Sequence, residues 1–350
     1  SSFLARQIFR GLMRLDDDLI VQPDIAAAVE TSPDGLRYTF TLRDDATFQD
    51  GAAIDANAVL ASFERAADPA LAGGDGSALP AAIYFGDIAG IGDYLSGQAA
   101  SISGMRVVDS RTVEFTLSRP AANFLYKLTG SPAAIVDARR ATGSDWWKTA
   151  NGSGPFRITE ATTQRIILAP FDGFYAGVPR LARVTVLYGA AASQPLNLYE
   201  TGAIDLTDVP LFALDRVSSP ADPLYPELES MPQLSTAFIV LNPAGEPFDD
   251  PNIRKAVAQA FDRAKVTDVM LEGRVRLADG LVPPGILDRE WPATPEAYDL
   301  DAARADLAAA EPHENDPAFY GGGVSVALAE VLERDLELES DAIALGWSEF

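Results

Sequence analysis

The run Asp34-Gly35-Leu36-Arg37-Tyr38-Thr39-Phe40-Thr41-Leu42-Arg43 carries the clearest structural signal in the chain. Tyr38, Phe40 and Leu42 alternate with Arg37, Thr39, Thr41 and Arg43, the period of two that gathers apolar side chains on one face of a half-buried strand. Ser32-Pro33-Asp34-Gly35 ahead of it is a turn signal, and Asp50-Gly51 behind it turns the chain again. Asp55 then stands where a helix needs an N-cap, with Val59 and Phe63 following at i, i+4 spacing, so a helix is predicted over 56–66. Further out, the segments 105–108 and 112–117 flank Asp109-Ser110-Arg111 and set Val113, Phe115 and Leu117 on one face, which predicts a hairpin.

Beyond this centre the signals alternate. Gly73-Gly74-Asp75-Gly76 reads as a loop, since it lacks the Gly-Lys-Ser/Thr of a phosphate cradle. Asn151-Gly152-Ser153-Gly154-Pro155 is a cluster of breakers that marks a boundary; it also fits a glycosylation sequon, a match common by chance. Short β-branched runs at 156–158, 165–168, 183–187 and 204–206 predict strands, and 194–200 a short helix closed by Gly202. A strand over 236–241 breaks at Asn242-Pro243-Ala244-Gly245, after which Asp249-Asp250-Pro251 opens a helix with Ile253, Val257, Ala260 and Phe261 as its stripe. A second helix over 263–271 ends at Gly273, an Ala-rich helix capped by Asp299 or Asp301 runs to 310, and 324–333 looks helical. The alternation argues for an α/β chain.

Composition narrows the function. The 350 residues, 47% hydrophobic, are enough for two cores. With 51 acidic and 27 basic residues the net charge is −24, which repels nucleic acid and anionic lipid. The lack of cysteine excludes disulfides, thiolate nucleophiles and Cys-ligated zinc, and a single histidine, His313, excludes multi-histidine metal sites and leaves histidine-based catalysis without a convincing base. No apolar run approaches the ~20 residues needed to cross a bilayer. Carboxylate chemistry, hydroxyl chemistry and binding without chemistry remain.

Four segments in order resemble the extracytoplasmic solute-binding proteins of ABC importers, family 5, which includes peptide- and nickel-binding members. They are Asp34 to Arg43 continuing through Phe48-Gln49-Asp50-Gly51, Asp55 and Phe63-Glu64-Arg65; Asn151 to Ile158; Tyr199-Glu200-Thr201-Gly202-Ala203-Ile204-Asp205-Leu206; and Phe238 to Asn242 with Pro247-Phe248-Asp249-Asp250, Ile253-Arg254-Lys255-Ala256, Ala260-Phe261-Asp262-Arg263, Gly273 and Val282-Pro283-Pro284-Gly285. The resemblance implies an α/β, two-lobed periplasmic-binding-protein-like clamp (type II, large cluster, with an extra subdomain in lobe I). The expected divisions are 1–150 for that subdomain, 151–241 for the lobe I core sheet and 242–350 for an incomplete lobe II. It further implies a strand before Ser1 and a carboxy-terminal return to the first lobe that this sequence lacks, with seams at 311–313 and 339–341.

The implied function is ligand capture between lobes and delivery to ABC permease subunits, by a monomer that is periplasmic or extracellular, either free or lipid-anchored, with no cofactor, no metal and no nucleic-acid partner. A peptide is the leading ligand. The same scaffold could take a nickel chelate, an oligosaccharide or an opine; a carboxylate-dependent glycoside hydrolase and a receptor that serves no permease are the rivals of other classes. Gly346 and Trp347 match the family's pocket-lining Gly-Trp, and Asp208 lies where relatives place a polar residue at the cleft mouth. Asn242 is a hinge or ligand-facing residue, and Tyr84 and Phe85, read as loop residues, are candidates for an aromatic wall. Trp146 and Trp147 are read as packing, His313 as solvated, and Arg254, Asp262 and Arg263 as helix ion pairs.

Overall fold

The structure is a computed structural model that describes residues 2–71, 80–231, 235–271, 273–278, 280–283 and 297–310. It divides into two compact units, Ser1–Ser219 and Pro220–Phe350.

The alternating run forms the strand Arg37–Leu42, and Tyr38, Phe40 and Leu42 are its buried residues. It lies inside a four-stranded antiparallel sheet whose order is Ala26–Thr31, Arg37–Leu42, Thr112–Thr116, Met105–Asp109, with Tyr38 opposite Phe115 and Phe40 opposite Val113. Helix Ala56–Ala66 packs against it and starts at Asp55, whose side chain accepts from the Ala58 amide at 2.8 Å. The i, i+4 pair Val59 and Phe63 is fully buried. Phe63 meets the Phe115 ring at 5.1 Å edge-on and stacks on Phe85 at 4.6 Å, while Phe40 meets Phe115 at 5.4 Å. Burial of each such ring contributes about 1.5–3 kcal/mol, so this aromatic cluster dominates the core. The one buried polar group on the helix, Ser62, is satisfied: its hydroxyl donates to Ala58 O at 2.7 Å and accepts from the Val136 amide.

A second, three-stranded antiparallel sheet, order Val184–Leu187, Arg165–Pro170, Phe156–Ala161, carries a smaller core of Ile8, Phe156, Ile166 and Leu168, with Trp147 packed on it. The two sheets are tied through the family-like segments themselves. Gln49 Nε2 donates to the carbonyls of Gly154 and Phe156 at 3.2 and 2.7 Å, the Gln49 amide donates to Gly152 O, and the Asp50 amide donates to Asn151 Oδ1. Asn151 Nδ2 reaches Asp137 Oδ2 at 3.0 Å, and the buried Ser153 hydroxyl accepts from the Arg10 amide and donates to Ile135 O. Gly152 lies so close to the Ile8 carbonyl that a Cβ would overlap it. The breaker run is therefore a packed joint holding the end of helix Ser2–Ile8, and Asn151 is buried in it.

Two expected strands are not formed. Residues 204–206 and 236–241 are irregular, and Leu206, Phe238, Ile239 and Val240 are 85%, 62%, 68% and 73% exposed. A β-branched or aromatic run becomes a strand only when a neighbouring strand takes its amides and carbonyls, and no described strand pairs with these.

In the second unit, helices Pro251–Ala260 and Leu300–Ala309 pack together, with Ile253, Ala256 and Ala303 buried. Asp250 caps the first through the Asn252 amide, and Asp299 caps the second through the Asp301 and Ala302 amides. The Asp299 amide donates to Gln259 O at 2.9 Å, and Asn252 Nδ2 to Ala309 O at 3.3 Å. The segment expected as one helix over 263–271 is a short α-turn, Arg263–Lys265, running into a π-turn, Val266–Met270.

Candidate functional site

Within the first unit, helix Ser2–Ile8 ends and the chain runs at once into the short strands Arg10–Gly11 and Met13–Leu15. Arg10–Gly11 pairs antiparallel with Ala134–Ile135, and Gly11 approaches Leu128 so closely that a Cβ would sit 3.1 Å from its carbonyl oxygen. Between this edge and the turn at 129–134 lies a half-open cavity of about 240 Å³. Arg6, Arg10, Arg14 and Asp24 are its charged lining residues, Phe9 and Met13 are among its apolar ones, and Thr129, Gly130 and Ser131 are on the opposite wall.

Arg10 is the anchored member. Its Nε donates to Asp24 Oδ2 at 2.7 Å, Asp24 also accepts from the Tyr175 hydroxyl, and the guanidinium stands 5.9 Å from the Phe174 ring centroid. Arg43 lies over the Tyr175 ring at 4.7 Å. Burial works against the Arg10 charge, but the Asp24 carboxylate beside it outweighs that and leaves its pKa raised. Burial, with the Asp24 charge, also pushes the Tyr175 phenol up, so Tyr175 stays a neutral donor. Arg6 and Arg14 have exposed side chains and form no ion pair among the described residues.

The sequence-expected site residues are scattered. Tyr84 and Phe85 lie on a helix, Pro80–Phe85, not in a loop. Phe85 is fully buried in the Phe63 stack and has no surface left for a ligand. Tyr84 is half-buried, with its ring against Gly130, where a Cβ would overlap it; it thus backs the cavity wall. Asp208 is exposed in the stretch before helix Leu211–Val217 and does not line the cavity. Asn242, in the second unit, is exposed, and its Oδ1 accepts from the Ala244 amide at 3.1 Å, a turn geometry. Gly346, Trp347 and His313, like the 73–76 loop and the 324–333 segment, fall outside the described residues.

Other residues take different roles from those expected. Arg254 donates to the Phe248 and Asp249 carbonyls at 2.6 and 2.9 Å, so it closes the loop before its helix. Asp262 caps the next turn through the Lys265 amide. Trp146 and Trp147 pack as read, Trp146 between Phe9 and the Arg65 guanidinium. The residues missed by sequence reading are Arg6, Arg10 and Arg14. Their spacing of four was available as a signal, but it suggests one helix face; the structure breaks the helix at Ile8 and brings them together through two strands. Among the described residues no group of three or more His, Asp or Glu side chains could hold a metal, and no helix is long and apolar enough to cross a membrane.

Residues 21–326 match the family described as bacterial extracellular solute-binding proteins, family 5 Middle. The chain is 29% identical over 304 residues to the glutathione-binding protein GsiB of Salmonella paratyphi A, covering 84% of this chain and 55% of that one. It is 30% identical over 295 residues to the probable D,D-dipeptide-binding periplasmic protein DdpA of Escherichia coli K12, covering 81% and 52%. Among solved structures it is similar to an oligopeptide-binding protein of Borrelia burgdorferi, OppAIV, at a TM-score of 0.74 and 24% identity, covering 90% and 63%. It is also similar to Listeria monocytogenes OppA bound to peptide, at 0.70 and 26%, covering 88% and 62%. The chain thus spans about half the length of the curated relatives it matches. Its fold is the α/β fold of the periplasmic binding proteins, and the chain belongs to the bacterial extracellular solute-binding proteins of family 5.

Proposed function

We propose that this chain is the ligand-capturing part of an ABC importer's solute-binding subunit, that its ligand is a peptide, and that it releases the ligand unchanged to membrane permease subunits. The observation that carries the reading is the family match over 21–326 together with relatives named for glutathione and a D,D-dipeptide, both peptides. The composition supports it, because binding without chemistry needs neither a cysteine nor more than one histidine. On this reading the protein is a monomer outside the cytoplasmic membrane, in a periplasm or held there by lipid, with no nucleic-acid partner and no catalytic residue. Trp347, Gly346, Asp208, Asn242 and Tyr84 are its proposed ligand contacts; Phe85 is not among them because its ring is sealed in the core.

Thermal-shift screening against peptides, oligosaccharides and nickel chelates, with mass spectrometry of the recovered compound, tests this. A ligand at 100 times its Kd stabilises by about 2.7 kcal/mol, a shift of several degrees. Peptides are expected to give it and to return intact. A shift from sugars or chelates alone would replace the substrate class, and a converted compound would make the protein an enzyme.

A further inference from the structure

Of the seven asparagines in the sequence, Asn151 is the one followed by glycine. Such a pair is chemically labile: with no side chain on the glycine to block the approach, its backbone nitrogen can attack the Asn Cγ and close a five-membered succinimide ring. The other six asparagines precede Ala, Phe, Leu, Pro, Ile and Asp, where a side chain or the proline ring stands in the way. Yet the fold places this pair in the joint between the two sheets, with Asn151 and Gly152 both buried, and each reacting group is held. Asn151 Nδ2, the nitrogen that would leave, donates to Asp137 Oδ2 at 3.0 Å, and Oδ1 accepts from the Asp50 amide at 3.1 Å. The attacking nitrogen of Gly152 donates to Gln49 Oε1 at 3.3 Å. Turning Cγ onto that nitrogen breaks both side-chain bonds, and the N–H would have to lose its proton where water is excluded.

We infer that Asn151-Gly152 is a self-modification site that the closed joint keeps silent and that opening of the joint releases, and that the product cannot re-form the joint. In the open segment hydroxide takes the Gly152 amide proton, the nitrogen bonds to Cγ, and the Cγ–Nδ2 bond breaks as ammonia leaves with a proton from water. Water then splits the ring at either carbonyl, giving an aspartyl or a β-linked isoaspartyl residue. The net change is hydrolysis of one amide, with no oxidation or reduction. The joint has no place for either product. Its carboxylates Asp50 and Asp137 are already matched by Arg140 at 2.8 Å and Arg139 at 2.9 Å. A third carboxylate would replace the Nδ2 donor with an oxygen facing Asp137 Oδ2, with no proton between them, so two like charges would oppose each other in a buried place. The isoaspartyl form also lengthens the main chain by one carbon next to Gly152, where the Ile8 carbonyl leaves no room even for a Cβ. None of this depends on which ligand the protein carries.

Peptide mapping by mass spectrometry tests this on the full chain, incubated at pH 8 folded and, in parallel, unfolded in guanidinium chloride. In denaturant, position 151 is expected to deamidate before any other asparagine. In the folded chain it is expected to react at least about tenfold more slowly, because the reaction waits on local opening. After partial reaction and dilution of the denaturant, the fraction that regains the parent's melting temperature is expected to be unmodified at 151. Asn151→Asp, made directly, is expected to melt several degrees below the parent, and Gln49→Ala, which frees the Gly152 amide, to deamidate faster than the folded parent. Equal rates in the folded and unfolded chain, or earlier loss at another asparagine in denaturant, would overturn the site; this comparison uses the parent alone and holds even where the Gln49 variant does not fold. Refolding of the modified chain to the parent's melting temperature, or an Asn151→Asp chain as stable as the parent, would overturn the block.

Discussion

At the residue scale, glycine does two different jobs in this chain. Gly152 is small because the Ile8 carbonyl occupies the place of its Cβ, whereas a Cβ on Gly92, inside helix Ile91–Leu95, meets nothing within 4 Å. Gly152→Ala is expected to cost about 1–3 kcal/mol through overpacking against a backbone that cannot retreat, visible as a melting temperature several degrees lower. Gly92→Ala is expected to be neutral or to stabilise by about 0.5–1 kcal/mol, since it removes glycine's entropy from a helix without a clash. Equal effects of the two would show that the joint at 151–155 is not tightly packed. The sequence marks both as glycines, and only the packing tells them apart.

Among elements, those that read well are those whose signals are local. Helix Ala56–Ala66 starts and ends where its cap and stripe place it, because Asp55 needs only the Ala58 amide and Val59 and Phe63 need only a shared face. Asp55→Ala is expected to cost about 0.5–2 kcal/mol and to speed hydrogen exchange of the first-turn amides more than of those near Phe63; uniform loss of protection would contradict a capping role. Strands read well only where a partner lies close by, as in the pair Met105–Asp109 and Thr112–Thr116. The runs at 204–206 and 236–241 also carry apolar or β-branched residues but join no described strand, since propensity does not supply a partner. Helix Pro80–Phe85 went unread for the opposite reason: it has no side-chain cap signal, and its buried face is only Ala81 and Phe85.

For the molecule as a whole, the joint between the two sheets carries part of the response to acid. Asp137 is held below the ordinary carboxyl range first by its hydrogen bond from Arg139 and then by Asn151, and Asp50 first by the Ala52 amide and then by Asn151. A depressed carboxyl contributes stability above its unfolded value, near ~3.9, and loses it as pH falls through the lower folded value. The first unit is therefore expected to lose stability steadily as pH drops below about 4, on top of the general effect of protonating an acidic protein. Asp137→Asn should begin less stable at neutral pH and fall less steeply; an unchanged slope in thermal melts at pH 6, 4 and 3 would take Asp137 out of the acid response.

The sequence by itself determined the family, the central sheet and its helix, the helix caps and the exclusion of thiol and multi-histidine chemistry, because each rests on spacing along the chain or on residues that are absent. It also showed that segments 48–51 and 151–156 matter, without showing that they bond to each other. Tertiary structure alone decided that Phe85 is core, that Tyr84 backs a cavity through Gly130, and that Arg6, Arg10 and Arg14 meet around it. Those facts depend on contacts such as Arg10 with Asp24 and Ser153, made between residues up to 143 positions apart, where no local period can register.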